Sequence, residues 1–245
     1  MRKLSILGVR VDNVSLEEIK NISLRLIAER RPSIFVSLGS LTVMLARKDP
    51  SYKELIDEAA LVICDGAGVA GGLRYLVKEE IPRIPGVDLI PFFAKLSEER
   101  GCKIFLLGAK EEVITNAAVS IKKSFPNINI CGYLNGYFDI IHCSAVISTI
   151  KRTAPDILLV GLGQPGQEKW LRDNLAELAV PVSIGIGGSF DVISGKLSRA
   201  PLVFRKLGLE WLFRMLLEPW RVRRNLALVG FFSLIIKNKF MGGKE

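Results

Sequence analysis

Short, almost wholly apolar runs alternate along this chain with segments whose apolar residues recur every three or four positions. The runs at 33–36, 60–64, 103–107, 128–131, 156–160 and 182–186 have the length and continuity of strands buried on both faces. The segments 15–29, 111–125 and 166–178 carry helical spacing. The first of these begins with Ser15 and has Glu18 three positions later, the signature of a reciprocal capping box. Strand–helix alternation of this kind predicts an α/β fold, a Rossmann-like parallel sheet with helices on both faces. No internal repeat and no low-complexity linker interrupts it.

The pattern changes after about Lys196. Strand signals stop, and the remainder reads as two or three helices rich in Leu, Phe, Trp and Arg, interrupted at Pro201 and Pro219. The expected organisation is therefore a Rossmann-like domain over residues 1–195 and a C-terminal helical appendage over residues 196–245. Charge follows the same division. The 245 residues carry a formal net charge of +9, and the stretch 199–240 holds nine Lys/Arg against Glu210 and Glu218, a net of +7. A basic tail on a nearly neutral body calls for an anionic partner. The tail is too apolar for a duplex-reading helix, and no RNA-binding module pattern occurs, so nucleic acid is not the expected partner. Its interleaved Trp211, Trp220, Phe231 and Phe232 suit either the interfacial zone of a membrane or a core-packing helix with solvated arginines.

Cys64, Cys102, Cys131 and Cys143 form no CxxC pair, which suggests buried free thiols of a reducing compartment. His142, the one histidine, cannot build a His-rich metal site and reads as a surface residue. The opening residues lack the apolar run of a signal peptide. The longest apolar stretch of the tail, 226–236, is about half of what a spanning helix needs. The expected location is the cytosol or, peripherally, the inner face of the plasma membrane.

In open α/β sheets ligands collect at the carboxyl ends of the strands. Here those ends are glycine-rich: Asp65-Gly66-Ala67-Gly68, Gly108-Ala109, Gly161 to Gly166, and Gly185 to Ser189. Four such turns at one edge fit a nucleotide pocket better than four unrelated tight turns. Gly161-x-Gly-x-x-Gly166 is literally a dinucleotide fingerprint, which raises an NAD-dependent oxidoreductase as an alternative. Yet it stands late in the chain, and Gly187-Gly188 occupies the place of a ribose-binding acid. Asp65, at the end of an apolar run, fits two roles equally by spacing: a general base, or the cap of the next helix. Arg83 lies in the Pro-bounded loop 81–86, where a guanidinium meets either a phosphate or solvent. Arg214, Arg221 and Arg224 are spaced to share one face of a helix.

Together these residues resemble the WecG/TagA/CpsF glycosyltransferases. The resemblance runs through Leu45 to Pro50, Asp65-Gly-Ala-Gly-Val69, Pro82-Arg83 with Gly86-Val-Asp-Leu89, Gln167-Glu-Lys-Trp170, and Gly187-Gly-Ser-Phe-Asp191 with Ser198-Arg-Ala-Pro201. It continues through Leu207 to Trp211 and Glu218 to Arg221. It implies metal-independent, cofactor-free, inverting transfer of an N-acetylmannosamine-type sugar. The donor is a UDP-sugar and the acceptor an undecaprenyl-diphosphate-linked sugar, as in teichoic acid or exopolysaccharide synthesis. The implied partners also include an anionic membrane surface, with room for a homo-oligomer. By position, the resemblance makes Asp65 the catalytic base and puts Arg83 and Gln167 in the pocket. Tyr137 and Asp191 fall in the uridine region, and Arg214, Arg221 and Arg224 fall against the lipid diphosphate.

One stretch departs from the family pattern. Where the family commonly reads Thr-Pro-Asn-Ala-Glu, this chain has Ser37-Leu38-Gly39-Ser40-Leu41. Ser37 keeps a hydroxyl for the pocket, whereas Gly39 has no amide, leaving Ser40 and Thr42 as the nearby hydroxyls. The departure points to a different donor sugar or to a catalytically impaired membrane-surface binding protein.

Overall fold

In a computed structural model the chain forms one eight-stranded sheet flanked by helices. The structure describes residues 1–218 and 222–240, except for the side chains of Lys206, Arg214 and residues 222–226. The strands are β1 (Arg2–Ile6), β2 (Val9–Asn13), β3 (Ile34–Leu38), β4 (Leu61–Cys64), β5 (Lys103–Gly108), β6 (Asn129–Leu134), β7 (Ile157–Gly161) and β8 (Val182–Gly185). Their order is β1-β2-β4-β3-β8-β7-β5-β6, with only β1 antiparallel to its neighbour. The six strands expected from apolar runs are β3 to β8. The hairpin β1–β2 was not expected. Its two-residue turn puts both Leu7 (φ 52°) and Gly8 (φ 77°) in the left-handed region, a conformation that matches strand twist but is unusual for leucine.

Helix α1 (Leu16–Ala28) opens with the expected capping box: the Ser15 hydroxyl accepts from the Glu18 amide, and the Glu18 carboxylate accepts from the Ser15 amide. Helices α2 (Ser40–Lys48) and α3 (Pro50–Glu58) connect β3 to β4, and α4 (Ala67–Val77) and α5 (Gly86–Arg100) connect β4 to β5. Helix α6 (Glu111–Ser124) follows β5, and α7 (Ser144–Thr153) follows β6. The segment expected as one helix after β7 is two, α8 (Gly166–Asp173) and α9 (Leu175–Leu178), broken at Asn174. Helix α10 (Ser189–Ile193) follows β8. Apolar side chains fill both faces of the sheet, as continuous apolar strands require. Cys64, Cys102 and Cys143 are buried free thiols; Cys131 is half-buried and also free.

The C-terminal segment forms α11 (Leu202–Lys206), α12 (Glu210–Leu217) and α13 (Val222–Phe240), and no described residue after β8 is in a strand. The rings of Phe204 and Phe213, 5.5 Å apart, join α11 to α12. Helix α13 packs across α2 and α4. Its Phe231 and Ile235, one helical turn apart, are buried in the same apolar cluster as β1, β3 and α2. Small residues on α4 make the seat. A Cβ on Gly72 would come within 2.8 Å of Ile6 and 3.0 Å of Ile235, and one on Gly68 within 3.5 Å of Phe231. Of the two readings of the tail's aromatic residues, Phe231 thus follows the core-packing one. Phe232, Ile236 and Phe240 on α13, Leu202 and Val203 on α11, Leu207 just after it, and Leu216 and Leu217 on α12 remain exposed. Among the described residues no helix is long and apolar enough to cross a membrane.

Candidate functional site

The carboxyl ends of β3, β4, β5, β7 and β8 open into one cleft of about 1280 Å³, which α12 and α13 border on one side. Ser37, Asp65, Arg83, Tyr137 and Asp191 all line it. Five residues between 37 and 191 in sequence are therefore gathered at one sheet edge, each by the strand or turn that precedes it.

Asp65 leaves β4 with its backbone N–H donating to the Leu38 carbonyl (3.1 Å), which ties it to the end of β3. It does not cap the next helix: the N-cap of α4 is Gly66, with no side-chain cap bond. Of its two candidate roles, the capping one is not realised. The neighbouring Cys64 thiol is pushed up to about 12, first by burial and then by the Asp65 charge, so it is a packed thiol and not a nucleophile at neutral pH.

Arg83 is no solvated loop arginine. Its Nε donates to the Asp65 carbonyl (3.0 Å), its Nη1 to the Arg205 carbonyl (3.3 Å), and its Nη2 to the Glu210 carboxylate. Glu210 also faces Arg199, whose Nε lies 4.0 Å from Oε1 and whose Nη2 pairs with Asp88 at 2.6 Å. Neither Glu210 nor Arg199 was singled out from the sequence. Arg83 and Glu210 are 127 residues apart, and no local pattern links them.

Gln167 is fully buried and sits under the cleft rather than in its lining. Its Oε1 accepts from the Gly163 and Gly187 amides, both at 3.1 Å, so it ties the β7 and β8 loops together. Its Nε2 donates to the Glu168 carboxyl (2.7 Å). Burial pushes Glu168 up from the ordinary carboxylate range and favours the neutral acid. All the polar valences of the Gln167 amide that these loops use are spent on protein, so its place in the site is as a brace for two glycine turns.

The Ser37 hydroxyl is buried at the cleft edge without a hydrogen-bond partner. The Thr42 hydroxyl is not available to replace the missing amide at Gly39. It accepts from the Gly39 N–H (3.2 Å) and donates to Gln164 Oε1 (3.1 Å), while Gln164 Nε2 donates to the Ser37 carbonyl (3.2 Å). Ser40 lines the cleft and Gly39 leaves open space there, since a Cβ would meet only Thr42 Oγ1, at 3.9 Å. Elsewhere the glycines serve loop packing. Gly108, at φ 129°, lies so close to the Gly161 backbone that a Cβ would come within 2.6 Å.

Tyr137, in the cleft lining, is largely exposed, its amide held by Asn135 Oδ1 (3.0 Å). Asp191 pairs with Lys196 at 3.1 Å. The Asp191 hydrogen bond and charge raise the Lys196 pKa, and Tyr137 and Glu218 add to the effect, so the ammonium stays charged at neutral pH. Lys196, in sequence only the point where strand signals stop, is a cleft cation; its place after the Gly185 to Ser189 turn was the available signal. Lys110, at the start of α6, is a second. His142 is exposed and pairs with Asp139 at 2.8 Å, away from this lining. Among the described residues no cluster of His, Cys, Asp and Glu is arranged to hold a metal ion. Arg214 and Arg224 stand on α12 and α13, the helices beside the cleft; their side chains, and Arg221 altogether, lie outside the described residues.

The chain is similar over nearly its whole length to proteins of known activity. It is 33% identical over 239 residues to the N-acetylglucosaminyldiphosphoundecaprenol N-acetyl-beta-D-mannosaminyltransferase of Staphylococcus aureus strain NCTC 8325, covering 97% of this chain and 93% of that protein. The proteins of the same name from strains COL and MRSA252 match with the same identity and coverage. The model of the glycosyl transferase WecG/TagA/CpsF family matches residues 4–245. A glycine-lined cleft with a carboxylate at a strand end and cations on its rim fits group transfer from an anionic leaving group, and the fingerprint at Gly161 belongs to a transferase rather than an oxidoreductase. The chain is a glycosyltransferase and belongs to the WecG/TagA/CpsF family.

Proposed function

We propose that this glycosyltransferase moves an N-acetylmannosamine-type sugar from a UDP donor to N-acetylglucosamine on undecaprenyl diphosphate, with inversion, at the inner face of the plasma membrane. The observation that carries the reading is that one cleft holds Asp65 together with two unlike sets of lining residues. The first is polar, Tyr137, Asp191 and Lys196. The second is apolar and comes from the C-terminal segment, Leu207, Trp211, Phe232 and Ile236. The first suits a nucleoside diphosphate and the second a lipid-linked acceptor.

In the reaction the acceptor hydroxyl oxygen bonds to the anomeric carbon as its proton passes to the Asp65 carboxylate. The bond from that carbon to the diphosphate oxygen breaks, and the electron pair leaves on UDP. One displacement of this kind inverts the centre. The charge that develops on the leaving diphosphate is the charge a fixed cation stabilises; Lys110 and Lys196 are two of the described cations that line the cleft, beside Arg83 and Arg199, and Arg214, Arg221 and Arg224 are proposed to meet the diphosphate of the acceptor. The exposed apolar residues of α11 to α13, in a segment of net charge +7, suit an anionic bilayer surface.

Binding and turnover test this directly. UDP at about 100 times its Kd should stabilise the protein by roughly 2.7 kcal/mol, and NAD should not. The protein with UDP-N-acetylmannosamine and a short-chain N-acetylglucosaminyl diphospholipid should release UDP and lengthen the lipid by one sugar. Stabilisation by NAD alone, or no product with any UDP-sugar, would overturn the reading.

A further inference from the structure

Four separate chain segments meet in one line of charges at the edge of the cleft: Asp88 on α5, Arg199 after α10, Glu210 at the start of α12, and Arg83 in the loop after α4. Both basic members and Glu210 are mostly buried. Arg83 is engaged at all three of its nitrogens. Nε holds the backbone carbonyl of Asp65, Nη1 the Arg205 carbonyl at the end of α11, and Nη2 the Glu210 carboxylate. A guanidinium fixed at three points transmits position, because its planar fork cannot satisfy all three if one is displaced. Glu210 is the acidic member of that bracket, and it is carried by a helix outside the sheet.

The geometry points to Glu210 as a positioning residue for transfer: through Arg83 it registers α11 and α12 against the Asp65 turn, so that the acceptor-side helices and the base are aligned by one ion pair. This rests on the transfer reading above. Glu210 lines the cleft, but on this reading it acts through Arg83 rather than on the reacting atoms. Its effect runs through Arg83 to the Asp65 backbone, and small displacements of a reacting group are costly to turnover. Tyr137 follows β6, Asp191 stands on α10 and Lys196 follows that helix, and none of the three is in the bracket. Loss of the Glu210 charge should therefore slow turnover without weakening UDP binding.

Glu210→Gln keeps the shape and removes the charge. Its kcat with the lipid acceptor should fall at least tenfold, while UDP Kd stays within twofold of wild type. Glu210→Asp should recover at least a third of wild-type kcat. In an Arg83→Gln background the Glu210→Gln change should have less than a twofold further effect, because residues acting through one another are not additive. Cleavage by trypsin after Arg205, whose carbonyl Arg83 holds, should be at least fivefold faster in Glu210→Gln. Wild-type or faster turnover in Glu210→Gln overturns the inference, as does an undiminished effect in the Arg83→Gln background or unchanged cleavage. If the wild-type protein turns over no UDP-sugar, the transfer reading fails and with it the catalytic role of Glu210; the cleavage rates then report separately whether the bracket itself exists.

Discussion

Replacing Phe231 with alanine tests whether the last helix is built into the core. Phe231 is fully buried, sits within ordinary contact of the space above Gly68, and stacks edge-on against Phe232 with ring centroids 5.7 Å apart. Phe→Ala at a buried site costs about 3–5 kcal/mol, from lost transfer energy and the cavity left behind. Gly68 and Gly72 have no side chains to fill that cavity, so collapse of the seat is limited. For a chain of this size each kcal/mol lowers Tm by about 2–4 °C, and the expected fall is on the order of 10 °C by differential scanning calorimetry. Phe232→Ala, one position on and exposed to 44%, should cost less than about 1 kcal/mol. Helices α2 and α4 under α13 follow the strands that carry Ser37 and Asp65, so Phe231→Ala should also lower turnover at a temperature where it is still folded. A fall of less than about 2 °C, equal to that of Phe232→Ala, would refute the packing argument and make α13 a detachable attachment.

Glu168→Gln replaces a buried acid, whose neutral form burial favours, with an amide of the same shape. Because burial raises its pKa in the fold, the folded protein keeps a proton that the unfolded chain releases, so stability falls as pH rises from the ordinary value of 4.5 toward the raised one. The variant lacks that slope, and its Tm advantage should widen as pH rises above the ordinary value of 4.5; parallel Tm curves would refute it. Lys196→Ala should weaken UDP binding about fivefold by calorimetry, a modest effect because the side chain is half exposed, and less in high salt. An unchanged Kd would remove Lys196 from the donor site.

What the sequence made legible was what repeats locally. The capping box at Ser15 and Glu18 and the apolar runs of β3 to β8 each occupy a few consecutive residues, and the structure has them within a few positions of where they were expected. The hairpin was missed although Leu4, Ile6, Val9 and Val11 alternate around it, because a leucine in a left-handed turn gives no turn signal. The strand-end turns were visible as glycine clusters, and the cleft gathers them. Which glycines serve a ligand was not visible, since Gly108 is dictated by Gly161, 53 residues on. Gln167 could be named by resemblance, but not its position beneath the floor. Arg199 and Glu210 were legible as charges of the tail and as members of stretches that carry the family resemblance, but not as a pair; their partners, Asp88 and Arg83, lie more than a hundred residues earlier, and no periodicity carries that information.

The central claim is that the carboxylate of Asp65 takes the proton of the acceptor hydroxyl. Asp65→Asn preserves size and backbone, including the bond from Arg83 to its carbonyl, and removes the base. Single-turnover transfer with saturating UDP-N-acetylmannosamine and lipid acceptor, measured beside UDP affinity, isolates that function. The account predicts a rate lower by about a hundredfold or more with UDP Kd within twofold of wild type. Transfer at a near wild-type rate, or loss of UDP binding equal to the loss of rate, would contradict it.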